Sequence, residues 1–542
     1  MRNTKSFTPR PSALLALLLA LLLAAPAGAE IAGDLGGAFA PADPYASVIQ
    51  EAPPVDMVTA DVLIGYVAPQ GSFINPFRCT ETNLISVNQL VFEPVVDFDQ
   101  SLKPVPMLAD SWTQDGRTWV FKLRSGIQFH NGQELTAYDV VRSYDTILRA
   151  GEQNPYYGRL QAISNMEATD ILELTVTARS GGLSTLYAMN FPVVQFETLT
   201  DDLPRGTGPY WFIQLDMDGT LRLEANPLWW KRQPEVHSIL LKRFDTSGDA
   251  IEALQTNKIN MLATNSAHAS LSRKLADLAS MDYTTLTYEL LVPNLSSGSM
   301  MNDLRIRQAV MYAMDRSLLA SNAYVDMAVQ CEVPIPPNSW LYESQSAIYY
   351  YSPERALALM YEAGWRDLTG NGKLNRMNGI MLEEPSITIA TDNESTNSIR
   401  ENAAKMIAGY LEEVGFNVQV VVESRSKLRE HLRERSYDLY LIGVNLSELP
   451  NLSSLVASGG DLNYSRWSSD DMELLLSHAA GAADESTLRK VYSDIQMTIV
   501  NRLPFLGLLF RTGTVLASRP LGGMSALRAY DTFNGFEFLT MD

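Results

Sequence analysis

One loop carries oxygen-bearing side chains at a spacing that could hold a metal ion. Residues 367–375 supply such side chains at relative positions 1, 3, 5 and 9 of a calcium loop, with Gly372 at position 6. Position 12 is Asn378, where calcium loops usually carry a bidentate Glu. A turn rich in Asp, Asn and Gly accounts for the same residues, and we favour the turn.

Motifs for catalysis are missing from the sequence. It contains no G-x-S-x-G nucleophile elbow, no H-E-x-x-H motif and no phosphate-binding P-loop. Residues 206–209 carry two of the three glycines of a dinucleotide-binding loop, but Trp211 stands at the third position, which favours a turn. The 62 Asp and Glu residues could include the acid/base pair of a glycosidase, yet sequence spacing identifies none. We therefore expect a protein that is not an enzyme.

Cysteine and histidine are too scarce for the common metal sites. Two cysteines rule out a Cys₄ or Cys₂His₂ zinc site and a disulfide scaffold. The five histidines include no pair at the spacing of helical metal ligands. The eight tryptophans are spread along the chain and are mostly expected in the core. We expect no metal site and no cofactor.

Length and charge limit the class of protein further. The 542 residues, 46% of them hydrophobic, suffice for several domains or two large lobes and exclude wholesale disorder. The formal charge is −20, and nucleic acid is excluded as a partner because its phosphates require Lys and Arg.

The N-terminus has the pattern of a secretory signal peptide. Basic residues precede an apolar stretch from Ala13 to Ala25, and Ala27-Gly28-Ala29 resembles a cleavage site. The alternative is an uncleaved anchor, although the stretch is short for a bilayer. We predict a signal peptide at 1–29, a tether at 30–57, and a periplasmic or extracellular protein that has no lipoprotein cysteine. Removal of the signal leaves 39 basic against 62 acidic residues, a charge of −23.

The predicted export affects how the two cysteines are interpreted. In an oxidising compartment Cys79 and Cys331 could form one disulfide, or both could be buried free thiols. The sequence leaves both alternatives open because it does not give the distance between them.

Residues 386–444 have the pattern of a parallel α/β unit. Strands are predicted at 386–391, 416–422 and 438–444, with helices at 398–414 and 427–434 between them. Short connections between alternating strands and helices imply a parallel sheet covered by helices. A second unit of strand 238–244, helix 248–257 and strand 259–263 suggests two lobes.

Other strands and helices are predicted from the periodicity of hydrophobic residues and from helix-capping residues. Further strands are predicted at 61–66, 90–96, 118–124 and 172–178. Helices are predicted at 137–149, with Thr136 and Asp139 as a capping box, at about 302–320, and at 353–363 between Ser352 and Gly364.

Ten segments in order resemble a known family, and together they span about residues 58–542. The chain resembles extracellular solute-binding protein family 5, the dipeptide-, oligopeptide- and nickel-binding subunits of ABC importers. The matching segments are Asn75-Pro76-Phe77, Leu90-Val-Phe-Glu-Pro94, Leu108-Ala-Asp-Ser-Trp112, Trp119-Val-Phe-Lys-Leu-Arg124, Phe129-His-Asn-Gly132 with Leu135-Thr-Ala-Tyr-Asp139, Gly206-Thr-Gly-Pro-Tyr210, Asn226-Pro227 to Trp230, Arg307-Gln-Ala-Val-Met-Tyr-Ala-Met-Asp-Arg316, Ala363-Gly-Trp365 and Tyr437-Asp-Leu439.

The resemblance implies an α/β fold, a type II periplasmic-binding-protein clamp of two lobes with an extra N-terminal subdomain inserted in lobe I. It places lobe I at 58–285, with the subdomain at about 98–195, lobe II at 286–504, and a return to lobe I at 505–542. Similar turns follow Ala-Gly-Trp in the family, which further disfavours calcium at residues 367–375.

The resemblance also suggests where a ligand would bind. The stretch after Asn75-Pro76 and the segment 154–157 line the pocket in peptide-binding relatives. An Asp in an Asp-Pro loop there pairs with the ligand's α-ammonium, but residues 445–451 contain no Asp-Pro, so Glu448 either replaces that carboxylate or faces solvent. The predicted ligand-binding residues are Arg78, Thr80, Glu81, Thr82, Tyr156, Tyr157, Asn445, Glu448, Asn463 and Trp467.

The implied function is capture of a small ligand between the lobes, with a short peptide as the default, and its delivery to the transmembrane permease subunits of an ABC transporter. A monomer is expected. Two alternatives stay open: a ligand-sensing partner of a membrane receptor, and a secreted hydrolase, which is disfavoured because it lacks catalytic motifs.

Overall fold

The computed structural model describes residues 60–275, 277–393, 399–449 and 451–540. The predicted signal peptide at 1–29 and tether at 30–57 lie outside the described residues. No helix within the described ranges is long and apolar enough to cross a membrane.

The described residues form nineteen strands and fourteen α-helices. The strands are β1 Val62–Val67, β2 Val96–Phe98, β3 Pro104–Pro106, β4 Ala109–Asp115, β5 Thr118–Leu123, β6 Ile163–Asp170, β7 Glu173–Ala178, β8 Tyr210–Leu215, β9 Leu221–Ala225, β10 Ser238–Phe244, β11 Met261–Thr264, β12 Ala279–Pro293, β13 Ala328–Gln330, β14 Arg376–Asn378, β15 Met381–Glu383, β16 Ser386–Asp392, β17 Asn417–Glu423, β18 Leu439–Asn445 and β19 Leu506–Ala517. The helices are α1 Thr82–Asn88, α2 Ala137–Ala150, α3 Tyr157–Leu160, α4 Ser184–Ala188, α5 Ser247–Gln255, α6 Ala269–Ser272, α7 Leu304–Ala313, α8 Arg316–Asn322, α9 Pro353–Glu362, α10 Ile399–Glu413, α11 Arg425–Glu434, α12 Ser453–Val456, α13 Asp470–Gly481 and α14 Glu485–Arg502.

Eleven of the strands form one mixed sheet. Its order is β17-β16-β18-β12-β19-β11-β1-β10-β9-β8, and β13 pairs with β19 off this path. A separate four-stranded sheet has the order β4-β5-β7-β6, and β2-β3 and β14-β15 are two-stranded.

The two long strands β12 and β19 pair along most of their length. Residues 279–284 of β12 pair with 512–517 of β19, and residues 288–291 pair with 506–510. Between these stretches the register shifts at Thr284/Tyr288, so the ladder is irregular there. A bulge bends a strand and increases its twist. The long pair can therefore change direction between Thr284 and Tyr288.

Two large hydrophobic clusters lie on either side of this irregularity. The first draws its buried residues from 62–263 and 515–539, and the second from 288–510. We use lobe I for residues 60–284 and 512–540, and lobe II for residues 288–510. This confirms the predicted fold class of a two-lobed α/β clamp; the exact boundaries at 285/286 and 504/505 stay a prediction.

The predicted parallel unit of lobe II is confirmed. Strand β16 pairs in parallel with both β17 and β18, and α10 and α11 connect these strands in the chain. Helix α10 buries its small and aliphatic residues, including Ala403, Ala404 and Ile407. In lobe I, β1 likewise pairs in parallel with β10 and β11, and α5 lies between those two in the chain. Within each unit, the carboxyl ends of the parallel strands lie side by side.

Two predicted elements differ in the structure. Residues 90–95 form a turn and irregular chain where a strand was predicted. The Leu90 and Val91 amides donate hydrogen bonds to the Val87 and Asn88 carbonyls at the end of α1, so they are not available to a strand partner. The single helix predicted at 302–320 is two helices, α7 and α8. It is broken before Asp315, whose side chain accepts a hydrogen bond from the Leu318 amide and caps α8.

Helix capping follows the predicted residues elsewhere. The Asp139 carboxylate accepts hydrogen bonds from the backbone amide and the hydroxyl of Thr136 at the start of α2. Ser352 caps α9, and Gly364 follows that helix with φ +92°, a conformation that favours glycine.

The two cysteines are not joined. Cys79 belongs to the first hydrophobic cluster and Cys331 to the second, and both are buried free thiols. Burial raises the pKa of each thiol to about 12. The disulfide alternative is thus wrong for this structure, because the two residues pack in different lobes.

The loop at 367–375 is a turn. One Asp367 carboxylate oxygen accepts hydrogen bonds from the Gly370 and Asn371 amides, and the other from the Gly372 amide. The Asn375 side-chain oxygen accepts from the Leu368 amide. The acidic and amide oxygens of the loop are thus occupied by its own backbone.

Candidate functional site

A cavity of about 700 Å³ lies where lobes I and II face each other. Lobe I lines it with α3 and the segment from Arg179 to Asn190, and lobe II with the loop after β18 and with parts of α12, α13 and α14. The stretch 528–531, which follows β19 in the chain, closes another side. Because the loop at 446–449 directly follows the carboxyl end of β18, the cavity lies where open α/β sheets bind ligands.

An ion pair joins the two lobes at this cavity. Arg159, on α3, donates from one terminal nitrogen to both carboxylate oxygens of Glu448, at 3.1 and 2.9 Å. The other terminal nitrogen donates to the backbone oxygen and side-chain oxygen of Asn190. The side chains are only 16% and 9% exposed. The pair therefore joins the lobes at a position that is largely shielded from solvent.

Of the ten predicted ligand-binding residues, Tyr156 and Glu448 line the cavity. Glu448 neither faces solvent nor offers an unoccupied carboxylate, because Arg159 occupies both of its oxygens. Tyr156 is buried, and its hydroxyl accepts a hydrogen bond from Gln89, which also lines the cavity. Burial raises the pKa of Tyr156 above its usual value.

The other eight predicted residues lie away from the cavity wall. Arg78 contacts Asp202 and the Phe73 ring, and Thr80, Glu81 and Thr82 lead into α1. Tyr157 is the first residue of α3, next to two residues that line the cavity. Asn445 accepts a hydrogen bond from Thr287 on β12.

The remaining two, Asn463 and Trp467, belong to one loop of lobe II. The Asn463 side chain donates to the carbonyls of Ala457 and Trp467 and accepts from the Trp467 amide. Asn463 therefore shapes this loop.

The stretch 528–531 was not predicted as part of the site. Arg528 and Asp531 exchange backbone hydrogen bonds around Ala529 and Tyr530, and Tyr530 has φ +64°. This tight turn brings three polar side chains to the cavity. No sequence motif marks it.

Buried Arg528 is shared by two carboxylates. One of its terminal nitrogens lies 2.6 Å from Asp97 Oδ1 and 2.8 Å from Asp531 Oδ2, and the other donates to the Phe98 carbonyl. By contrast, the Arg179 guanidinium, which lines the same cavity, has no carboxylate within ion-pair distance in the part of the chain that the structure describes.

Further contacts hold the lobes together besides the Arg159–Glu448 pair. The Leu183 amide donates to the Ala482 carbonyl at 2.9 Å. Trp340 of lobe II donates from its ring nitrogen to the Tyr187 hydroxyl and from its amide to the Ser101 carbonyl, both at 2.8 Å. Lobe I and lobe II are thus in direct contact around the cavity in this structure.

A second cavity of about 300 Å³ adjoins the first, and the two share Gln89 and Asp531 as lining residues. Its wall is acidic: it contains Glu93, Asp97, Asp99, Asp531 and Glu537, with Lys231 as its one basic residue. Burial raises the pKa of Glu537 to about 7. Within the described ranges, no three side chains of His, Cys, Asp or Glu are grouped as metal ligands.

Replacing Glu448 by Gln is expected to open the unliganded protein. The substitution keeps the side-chain size but removes the charge that faces Arg159, and hydrogen bonds between charged groups contribute about 1.5–3 kcal/mol. A loss of that size shifts a closed–open equilibrium about tenfold or more towards the open form. Small-angle X-ray scattering would record this as a larger radius of gyration.

The matched control is Lys103→Gln. Lys103 pairs with Glu485 at 2.7 Å and also joins the lobes, but its side chain is 37% exposed and that of Glu485 56%. Exposed ion pairs contribute about 0–1 kcal/mol, so this variant should scatter like the wild type. Equal scattering by both variants would contradict a closing role for Arg159 and Glu448.

Comparison with known proteins agrees with the two-lobed clamp. The oligopeptide-binding protein AppA of Bacillus subtilis (strain 168) is 23% identical over 501 residues, which cover 88% of this chain and 90% of that protein. The nickel-binding periplasmic protein of Escherichia coli (strain K12) is 23% identical over 481 residues, 83% of this chain and 89% of that protein.

Among solved structures, HbpA2 from Haemophilus parasuis superposes with a TM-score of 0.74 at 20% identity, covering 87% of this chain and 99% of that one. At this identity the match shows the fold. The model of the bacterial extracellular solute-binding proteins, family 5, matches residues 103–465, more than half of the chain. The protein therefore belongs to the family 5 bacterial extracellular solute-binding proteins.

Proposed function

We propose that this protein captures a short peptide between its lobes and delivers it to the transmembrane permease subunits of an ABC importer. The observation that carries the proposal is the interlobe cavity of about 700 Å³, a size within the range of small-ligand pockets. Membership in a family of extracellular solute-binding proteins supports capture rather than catalysis. In this proposal the protein is a monomer that works outside the inner membrane and turns over no substrate.

A peptide fits the cavity better than an apolar or a metal ligand. Serines, amides and tyrosine hydroxyls on the wall offer hydrogen-bond partners to a peptide backbone, while Leu446, Leu476 and Ile495 offer apolar contacts. Arg179 donates to the Gln161 carbonyl and has no carboxylate partner among the described residues, so its charge is available to a ligand carboxylate. One relative is named as oligopeptide-binding, which supports the same ligand class.

The direct test is binding of a random tetrapeptide library to the purified protein. A ligand that binds only the folded protein stabilises it by about 2.7 kcal/mol at a concentration one hundred times its Kd. We expect a higher melting temperature and one bound peptide per chain in native mass spectrometry. A melting curve that neither the library nor extract fractions shift would contradict the proposal.

A further inference from the structure

The carboxylates on the main cavity wall differ in how well they are neutralised. Glu448 and Asp531 are the acidic residues among those that line it. Arg159 donates to both oxygens of Glu448, so an incoming cation would have to displace a guanidinium that also joins the lobes. Glu448 is therefore a poor acceptor for a ligand's positive group.

Asp531 is in the opposite situation. It shares the single Arg528 guanidinium with the partly buried Asp97, so this group of three carries two carboxylates for one positive charge. The Arg528 and Asn534 contacts of Asp531 both use Oδ2, and Oδ1 accepts no hydrogen bond from a described residue. Burial and the nearby Asp97 raise the pKa of Asp531 above its usual value. The charge of this side chain is thus incompletely compensated by the protein.

The surroundings of Asp531 increase the excess of negative charge. Asp531 also lines the second cavity, whose wall carries Glu93, Asp97, Asp99, Glu537 and the single Lys231; burial raises the pKa of Glu93 and of Glu537, so Asp97 and Asp99 contribute most of the negative charge there. Lys231 lies 3.8 Å from Glu93, which in addition accepts hydrogen bonds from Thr207 and Trp230. The Lys231 charge thus acts on Glu93 and also on Glu537, and it forms no ion pair with Asp531. This end of the main cavity favours a cation.

We propose that Asp531 receives the α-ammonium of a bound peptide, the role suggested from the sequence for Glu448. The proposal rests on the proposed function and adds the ligand's orientation: its N-terminus lies against the turn at 528–531. An ammonium there supplies the positive charge that the pair of Asp97 and Asp531 lacks. It also gains a charge-assisted hydrogen bond in a place where water is largely excluded.

The experiment is a competition within one random tetrapeptide library. Half of the peptides have free N-termini and half are N-acetylated, and the retained peptides are eluted with acid and quantified by mass spectrometry. We expect the wild type to retain the free-amine form about tenfold or more over the acetylated form, because a hydrogen-bonded charge is lost on acetylation. Asp531→Asn should bring the ratio close to one.

Two further variants make the result specific. Asp97→Asn leaves Arg528 and Asp531 as a one-to-one pair without changing a residue of the main cavity, and it should also lower the ratio. This variant decides the question if melting curves show that Asp531→Asn does not fold. Glu448→Gln weakens closure around both peptide forms alike. The ratio of retained free-amine to acetylated peptide should therefore stay at the wild-type value.

Each outcome has a distinct meaning. An unchanged ratio in both Asp531→Asn and Asp97→Asn overturns the proposal, as does a wild type that retains both forms equally. If only Glu448→Gln brought the ratio of free-amine to acetylated peptide close to one, Glu448 and not Asp531 would bind the α-ammonium. Retention of no peptide by the wild type overturns the proposed function itself, and this inference with it.

Discussion

Glu289→Gln is expected to lower the free energy of unfolding by about 3–5 kcal/mol, since removal of one partner of a buried ion network leaves charge uncompensated. Glu289 lies on β12 and is fully buried. It accepts two hydrogen bonds from Arg400, at 2.9 and 3.1 Å, and one from Arg511 at 2.6 Å. Equilibrium unfolding in urea at pH 7 measures the loss.

The network extends beyond Glu289 and connects several elements of lobe II. Arg400 also donates to Asp392 at 2.9 Å, and Asp392 accepts from Arg425. These contacts tie the end of β16 to α10 and α11, while Glu289 ties α10 to β12 and β19. A substitution at Glu289 therefore disturbs the strands next to the bend between the lobes.

The pH dependence of this effect has a definite sign. Burial alone would raise the pKa of Glu289, but Arg511 and Arg400 hold it below its ordinary value of 4.5. A carboxylate whose pKa is lower in the folded state stabilises the fold above the unfolded pKa and loses that contribution as the pH falls. The difference between wild type and Glu289→Gln should thus be largest at pH 7 and shrink below about pH 4.

A half-exposed ion pair provides the control. Arg376 and Glu383 pair at 2.8 Å with side chains 42% and 40% exposed. Glu383→Gln should change stability by no more than about 1 kcal/mol. If Glu289→Gln were as mild as this control, the buried network would not stabilise lobe II.

Gly182→Val is expected to weaken ligand binding about tenfold or more by preventing closure. Gly182 belongs to lobe I, and a Cβ atom there would overlap the Ala480 carbonyl oxygen of α13 in lobe II. The neighbouring Leu183–Ala482 hydrogen bond would be lost as well. The apparent affinity falls in proportion to the fraction of molecules that can close. A clash that disfavours closure by about 1.4 kcal/mol therefore raises the apparent Kd about tenfold. Calorimetric titration with a retained tetrapeptide measures it.

The substitution should leave each lobe folded, because the clash occurs only where the lobes meet. The unliganded variant should keep the wild-type circular-dichroism spectrum and show a larger radius of gyration. Gly481→Ala is the matched control on the facing helix, since a Cβ atom at Gly481 meets nothing within 4 Å. Wild-type affinity in Gly182→Val would show that binding does not need this closure.

Features that depend on neighbours in the chain were predictable from the sequence. The parallel unit at 386–444, the capping box of Thr136 and Asp139, and the turn at 367–375 all rest on contacts between residues close in sequence. The family resemblance rests on short ordered motifs of the same kind. These patterns determined the fold class and the family.

The composition of the site was decided by contacts between residues far apart in the chain. Arg159 and Glu448 are separated by 289 positions, and no local pattern marks them as partners. Arg528 is separated from Asp97 by 431 positions. The location of the cysteines in different lobes is a property of the same kind.

The sequence by itself thus determined a two-lobed solute-binding protein, while only Tyr156 and Glu448 of its ten candidate residues line the interlobe cavity. Only the tertiary structure decided that Glu448 pairs with Arg159 through both of its oxygens, while Asp531 shares Arg528 with Asp97. The physical reason is that the charge a ligand meets depends on burial and on ion-pair distances of a few ångströms. Both are set when the two lobes and the turn at 528–531 come together.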